Sequence, residues 1–475
     1  MANVNLLHFS DLLQTTTSSF LRKDSQLELS INVHGDQIGS LTKRLGYAQV
    51  GSTLSSDNTV RGAYSYSRQA DGTQYLYAVC NGTLSYFNGT TITGVTSGIN
   101  TSALEEFRVF VDQLFMVGAD SSNNFITPAN VSGTTYTTTT NLSGAPTGAR
   151  FVEVYKNQLY FADCLVSGIR YPSRFYRSSV PSITGALSWS ASDYEEVYTD
   201  NGEPLKGMHT NRALNQLLFF KETSLHAWDT FRIRDVGSVG TTSHRSIQTI
   251  ANVTFFFNEK GIFSYTGSEP KLISRSIEKW INGISSPTTV FAVGYDNRYY
   301  KLNVGTITVD GVSYSNCEIV YSVLDNTFTI YSYAHTFSIY ALHKLSGVIR
   351  VYSGDTTGKL FKLAAKNDEV YSDDGTAISA QFTTKALDLG VPGNRKFVDK
   401  VIIYTTRGQN LSGRMRVRGR DWSTNFKIND TEQEEGVNPE DGRFVQFNFS
   451  ESSTIAPFIF EGLSFNVQET TSNYA

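Results

Sequence analysis

Apolar and polar positions along the chain repeat as a phrase, written most clearly twice between Gln216 and Gly267. The first copy is Gln216-Leu-Leu-Phe-Phe-Lys-Glu-Thr-Ser-Leu-His-Ala-Trp-Asp229. The second is Asn252-Val-Thr-Phe-Phe-Phe-Asn-Glu-Lys-Gly-Ile-Phe-Ser-Tyr-Thr-Gly267. Each holds an aromatic-rich apolar run, a tight polar turn, and a second run in which apolar and polar residues alternate. A continuous apolar run suits a strand buried on both faces, and alternation suits one buried on a single face, so the phrase predicts a β-hairpin. Further copies run from Gln74 to Gly89, with Asn81-Gly82 as a two-residue turn, and from Phe107 to Gly118. Others begin at Phe151, Val290 (answered by Glu318 to Phe328) and Gly347. The Phe151 copy carries a long insertion from Tyr171 to Gly207.

Copies spaced roughly 35 to 60 residues apart match the blade period of a β-propeller with loop insertions. One four-stranded meander cannot cover both of its faces, and about six or seven of them close into a ring that leaves only short, protected edges. The expected fold is therefore all-β: a six- or seven-bladed propeller over residues 61–385, its ring completed near residues 60 and 380. Residues 1–60 and 386–475 do not fit the repeat and are expected to form an additional β-sandwich or platform.

In the N-terminal segment Leu27 to Val33 alternates as one strand, and Ser40-Leu-Thr-Lys-Arg-Leu-Gly-Tyr47 follows a turn. Lys43, Arg44 and Tyr47 there read either as a basic contact or as a solvated turn. In the C-terminal segment Arg414, Arg416, Arg418 and Arg420 alternate with apolar positions and fall on one strand face, Met415 and Val417 on the other. The acidic stretch Glu432-Gln-Glu-Glu435, with Glu440 and Asp441, answers that face within the domain or across a subunit boundary. Helical periodicity is confined to Ala103–Phe107 and Ser274–Ile284.

Composition agrees with β structure: 26 Tyr and 30 Phe against 4 Met. A net charge of −4 argues against a dedicated nucleic-acid binder, which needs a basic face to displace phosphate counterions, but suits a wall that DNA slides past. Cys80, Cys164 and Cys317 are scattered on strand-like segments and read as buried free thiols, consistent with synthesis in a reducing cytoplasm. No apolar run approaches the roughly 18 residues that span a bilayer, and the first ten residues lack the pattern of a signal peptide. No membrane insertion by this chain is expected.

Catalytic chemistry has little footing. Sialidase-type propellers repeat a Ser-x-Asp-x-Gly-x-Thr-Trp box; the nearest fragment here, Ser372-Asp-Asp-Gly-Thr376, occurs once and lacks the Trp. Arg170, Arg174 and Arg177 are close neighbours in sequence, whereas a carboxylate-binding triad would come from separate blades. With Tyr171, Tyr176 and Trp189 they read as a candidate partner or receptor loop. The seven histidines never pair at metal-ligand spacing. No cofactor is expected, and an enzyme is not. A central pocket with converging ionisable groups would count against that reading.

Three segments together resemble the packaged-DNA-stabilisation and tail-nozzle proteins of short-tailed bacteriophages. Gly39-Ser-Leu-Thr-Lys-Arg-Leu-Gly-Tyr47 resembles that family's G-x-x-x-x-R-P-G-Y entry, with Leu45 in place of the usual Pro. Asn211 to Trp228 looks like its central blade, and Ile273-Ser-Arg-Ser-Ile-Glu-Lys-Trp280 like its helix after a blade. The resemblance covers about half of the chain at pattern level. It implies a non-catalytic virion protein, synthesised in the host cytoplasm, whose propeller rises from a β-platform made of both chain ends. It also implies a homo-hexameric ring below the portal and adaptor that retains packaged DNA and conducts it during ejection without sequence-specific binding. On that basis Arg414, Arg416, Arg418, Arg420, Lys43, Arg44 and Tyr47 are the candidate subunit interface. A receptor- or glycan-binding propeller and a sialidase-like hydrolase are the alternatives.

Overall fold

The computed structural model describes the chain except residues 1, 7–8, 16–21, 36–38, 69–71, 119–123, 129–135, 141–143, 183–186, 199–201, 389–394, 408–409, 418–421, 424 and 471–475. The described residues are all-β in character, with one α-helical turn at Glu278–Ile281 after the 3-10 turn Ser274–Ile277. Ala103–Phe107 is not helical. The Asn100 side chain accepts hydrogen bonds from the Ser102 and Ala103 N–H groups, and a strand begins at Glu106.

The middle of the chain forms a propeller-like arrangement of four-stranded antiparallel meanders. Five stand as separate sheets, with inner strands Val60–Ser67 (unit 1), Glu106–Phe110 (unit 2), Phe151–Tyr155 (unit 3), Gly207–Asn211 (unit 4) and Gln248–Ile250 (unit 5). That count of separate sheets differs from the six or seven blades expected, because two further meanders are fused into one 15-stranded sheet. They begin with Phe291–Tyr295 (unit 6) and Phe337–Leu345 (unit 7). The outer strand of unit 7 comes from the other end of the chain: Tyr47–Gln49 pairs antiparallel with Leu360–Leu363.

Burial explains why such units assemble. Gln216–Phe220 and Leu225–Trp228 are buried throughout, so both strands of the phrase are covered, not only the first. An apolar cluster fills each gap between successive units, such as Tyr77, Phe107 and Met116 between units 1 and 2. The cluster of Val60, Leu76, Ala78, Ile339 and Tyr352 joins unit 7 back to unit 1. At that seam Gly354 lies where a Cβ would come within 2.5 Å of Val60, so only glycine lets the sheets approach so closely. The Asn81-Gly82 turn has positive φ at both positions (47° and 69°), as a tight hairpin turn demands. The expected insertion Tyr171–Gly207 is instead largely the outer half of unit 3, strands Ile169–Ser178 and Trp189–Glu196.

Both chain ends build a second body of two packed sheets. The outer six-stranded sheet pairs Arg395–Arg407 with Glu432–Gly442 and Ile459–Thr470, and adds Ala2–Leu6, Val33–His34 and Leu41–Lys43. Facing it, Gln26–Ile31, Thr376–Thr384, Val445–Ser453 and Leu411–Val417 belong to the 15-stranded sheet. Phe9, Leu27, Phe382, Ile403, Phe449 and Phe465 are among the side chains packed between them. Thr376–Thr384 thus lies in this body although it precedes residue 386. The predicted strand Leu27–Val33 breaks at Asn32, whose φ of 57° turns the chain from one sheet to the other. The acidic stretch Glu432–Glu435 is a strand and not a loop.

Lys43, Arg44 and Tyr47 lie at this junction, and all three are buried within the chain. They are neither a solvated turn nor a free surface for another subunit. Arg44 donates from Nη1 and Nη2 to Asp373 Oδ1 and Oδ2 (2.7 and 2.6 Å), from Nε to Asn32 Oδ1 (2.7 Å), and to the Ser332 carbonyl (2.7 Å). Its guanidinium also stands 4.4 Å from the centre of the Tyr333 ring. Lys43 pairs with buried Glu451 at 2.6 Å, and the Tyr47 hydroxyl accepts from the His335 N–H at 3.0 Å. The Ser372–Thr376 fragment is therefore a hairpin whose Asp373 anchors Arg44, not a glycosidase box.

Removing one partner of a buried, hydrogen-bonded ion pair leaves an uncompensated charge, which costs about 3–5 kcal/mol. Arg44→Leu is expected to lower the unfolding free energy by that amount in equilibrium urea titration; a loss below about 1 kcal/mol would show that Asp373 needs no partner.

Candidate functional site

The inner strands converge on a central channel with a cavity of 540 Å3. Its wall includes Tyr64, Arg108, Glu153, His209, Phe291 and Leu342, one from each of six units, and the 3-10 turn His244–Ser246 completes it between units 4 and 5. Ionisable groups do converge there, the feature expected to count against a pure scaffold, and their partners decide what they do.

Arg108, Glu153 and His209 are each the middle residue of their inner strand. Side chains at that level of adjacent strands meet across the gap between sheets. Arg108 forms an ion pair with Glu153, His209 Nδ1 lies 3.6 Å from the same carboxylate, and His209 Nε2 is 2.9 Å from the Thr249 hydroxyl. A polar girdle therefore runs across units 2, 3, 4 and 5. A second set crosses the channel: Arg245 reaches from the turn before unit 5 to Glu106 (3.3 Å) and to the carbonyls of Arg61 (2.7 Å) and Glu105 (3.1 Å). His244 Nε2 stands 3.6 Å from Glu106, while the Met208 N–H donates to His244 Nδ1 at 3.4 Å.

Burial alone would raise the Glu106 carboxyl, but His244, Arg245 and Arg108 outweigh it and hold it at about 2. Burial opposes ionisation of Glu153 as well, and Arg108 and His209 bring it well below the usual carboxylate range. Both carboxylates are thus held in the ionised form by the cations beside them, and through those contacts they join neighbouring units. Among the described residues no group of three or more His, Cys, Asp or Glu is placed to hold a metal ion. The three cysteines are free and buried, and burial raises Cys80 to about 11 and Cys317 to about 12, which keeps both in the thiol form.

The candidate receptor loop is used in packing. Arg170 pairs with buried Asp163 (2.7 Å), Arg174 with Glu196, and Arg177 with Asp193 (2.6 Å). The Arg174 guanidinium lies between the Tyr171 and Tyr194 rings, 3.9 and 3.8 Å from their centres. Tyr176 is buried, and Trp189 stacks on Phe161 with centroids 4.7 Å apart. The three arginines serve three different carboxylates and do not form one anion site.

Of the arginine face, Arg414 and Arg416 are half-buried on the outer side of their sheet, with Met415 in the core as alternation requires. Arg418 and Arg420 lie outside the described residues. Arg414 Nε donates to Asn448 Oδ1 (3.0 Å) and Arg416 Nε to Gln446 Oε1 (2.8 Å), and both guanidinium groups lie over Trp422, 4.9 and 4.4 Å from its ring centre. Among the described residues the acidic strand does not answer them: Glu434 pairs with Lys400.

No family model and no curated protein matches the chain. Among solved structures, the extracellular domain of a putative one component system from B. thetaiotaomicron is similar at 13% identity and a TM-score of 0.42, covering 82% of this chain. The chain spans 48% of that protein's length. The WD40 domain of Neurospora crassa Pan2 is similar at 10% identity and a TM-score of 0.40, over 70% of this chain and 98% of that one.

At the seam between units 7 and 1, Ser65 Oγ is 2.9 Å from Nδ1 of buried His343, and burial pushes that imidazole down to about 4. The unfolded chain, with an ordinary histidine near 6.5, takes up a proton that the folded chain refuses between those values. Stability present above about pH 6.5 should therefore fall as pH drops to about 4, by about 2 kcal/mol once partial screening is allowed for. His343→Gln is expected to flatten that part of a pH-resolved melting profile; an unchanged profile would show that the ring titrates normally.

Proposed function

We propose that the protein is a non-catalytic structural component of a short-tailed phage tail, a nozzle or stopper below the portal and adaptor that forms a ring, retains packaged DNA and conducts it at ejection. In this reading the seven units are seven blades of one wheel, and the two-sheet body is the platform that assembles the ring. The observation that carries it is the construction of that body from both chain ends: strands before residue 45 and after residue 375 share one core, while everything between returns to close on itself. A platform built this way fixes the propeller's two ends together and leaves two sheet faces outward for neighbours. The commitment of Glu106 and Glu153 to arginine and histidine supports bracing over turnover.

A head-to-tail contact closes into a ring when the rotation it imposes returns to the first copy, and extends into a filament otherwise. Native mass spectrometry of the purified chain is expected to show a closed assembly of six copies; a monomer at tens of micromolar would overturn the proposal.

A further inference from the structure

The two outer faces of the platform are complementary to each other, and they point in opposite directions. On one, Arg414 and Arg416 project from Leu411–Val417, while Met415 between them enters the core. On the other, Glu432 and Glu434 stand opposite Tyr404 and Ile402 in register, on the side away from core residues Val401 and Ile403, where Lys400 of the same face pairs with Glu434. Both pairs are two residues apart on a strand, so each sets like charges about 7 Å apart. Because the sheets pack face to face with their apolar sides inward, the arginine pair and the glutamate pair cannot meet within one chain.

Each face is also held ready. The acceptors that orient the arginines are themselves tied down: Asn448 Nδ2 donates to Thr383 Oγ1 (2.8 Å), and Gln446 Nε2 to Glu28 Oε2 and the Thr384 carbonyl (both 2.8 Å). Among the described residues the two guanidinium groups share one indole and have neutral amide oxygens as their side-chain hydrogen-bond partners, an arrangement that an external pair of carboxylates would complete. Opposite them, half-buried Ile402 and Tyr404 give the glutamate face an apolar floor that suits Trp422.

We infer that Arg414, Arg416 and Trp422 of one copy dock on Glu432, Glu434 and Tyr404 of the next, a heterologous contact between opposite platform faces that propagates around the ring. The inference rests on the ring reading proposed above and names the contact that makes it. Charge complementarity at matched spacing supplies its register, and the aromatic and aliphatic groups between the charges supply its desolvated centre.

The test uses two full-length variants, Arg414→Glu with Arg416→Glu, and Glu432→Arg with Glu434→Arg, each checked for a wild-type melting transition. Each alone sets like charges against each other and is expected to lose at least ten-fold in ring population by native mass spectrometry. Mixed one to one, they are expected to reassemble into rings in which the two alternate. Should either variant fail to fold, Arg416→Cys with Glu434→Cys in one chain is expected to give a ladder of disulfide-linked oligomers on oxidation, since the three native cysteines are buried. Rings that persist in both charge variants, or a cysteine pair that yields only monomer from an assembled ring, would overturn this contact and leave the ring reading standing. A monomeric wild type would overturn both.

Discussion

The strand that completes the last unit sits beside a buried cation, Arg44, together with the apolar seam between units 7 and 1. A wheel of meanders is stable only if its last unit finds the first, and here a three-residue strand from the start of the chain completes the last unit. So short a strand cannot hold its place by backbone hydrogen bonds alone. Arg44, three residues before it, is fixed by Asp373, Asn32, Ser332 and the Tyr333 ring, and so pins the strand where the platform meets the propeller. Burying a guanidinium is costly unless its donors are satisfied, and the contacts around Arg44 meet that demand. Asn32 does double duty: its left-handed backbone turns the chain between the platform sheets while its side chain orients the cation.

The polar girdle in the channel follows the same logic at the hub. Adjacent units form separate sheets, and among the described residues their inner strands meet through few backbone hydrogen bonds, such as Glu105 N–H to the Arg61 carbonyl at 3.2 Å, so side chains do much of the joining. Arg108, Glu153 and His209 do so between neighbours, and Arg245 does so across the axis. Charged groups placed this way resist slippage more than apolar ones would, because a shift of one residue leaves a buried charge unmatched.

Much of this was legible in the chain. Period-two alternation located the hairpins, Asn81-Gly82 announced its turn, and the arginine alternation gave the right face for Arg414 and Arg416. The outer strands of unit 3 were missed because they face solvent and carry charged side chains, so their apolar signal is faint. Arg44 was read as a surface group because its partner lies 329 residues away, and no local pattern records that distance. The girdle has one trace in the sequence: a polar residue in the middle of the successive inner strands of units 2, 3, 4 and 5.

Amide hydrogen exchange tests ring closure by the N-terminal strand most directly. If the clasp holds the wheel shut, the amides of Tyr47–Gln49 and Leu360–Leu363 exchange slowly and together with the inner strands of units 1 and 7, and all of them become labile at once in Arg44→Leu. Rapid exchange of Tyr47–Gln49 in the wild-type chain, with the inner strands still protected, would contradict it.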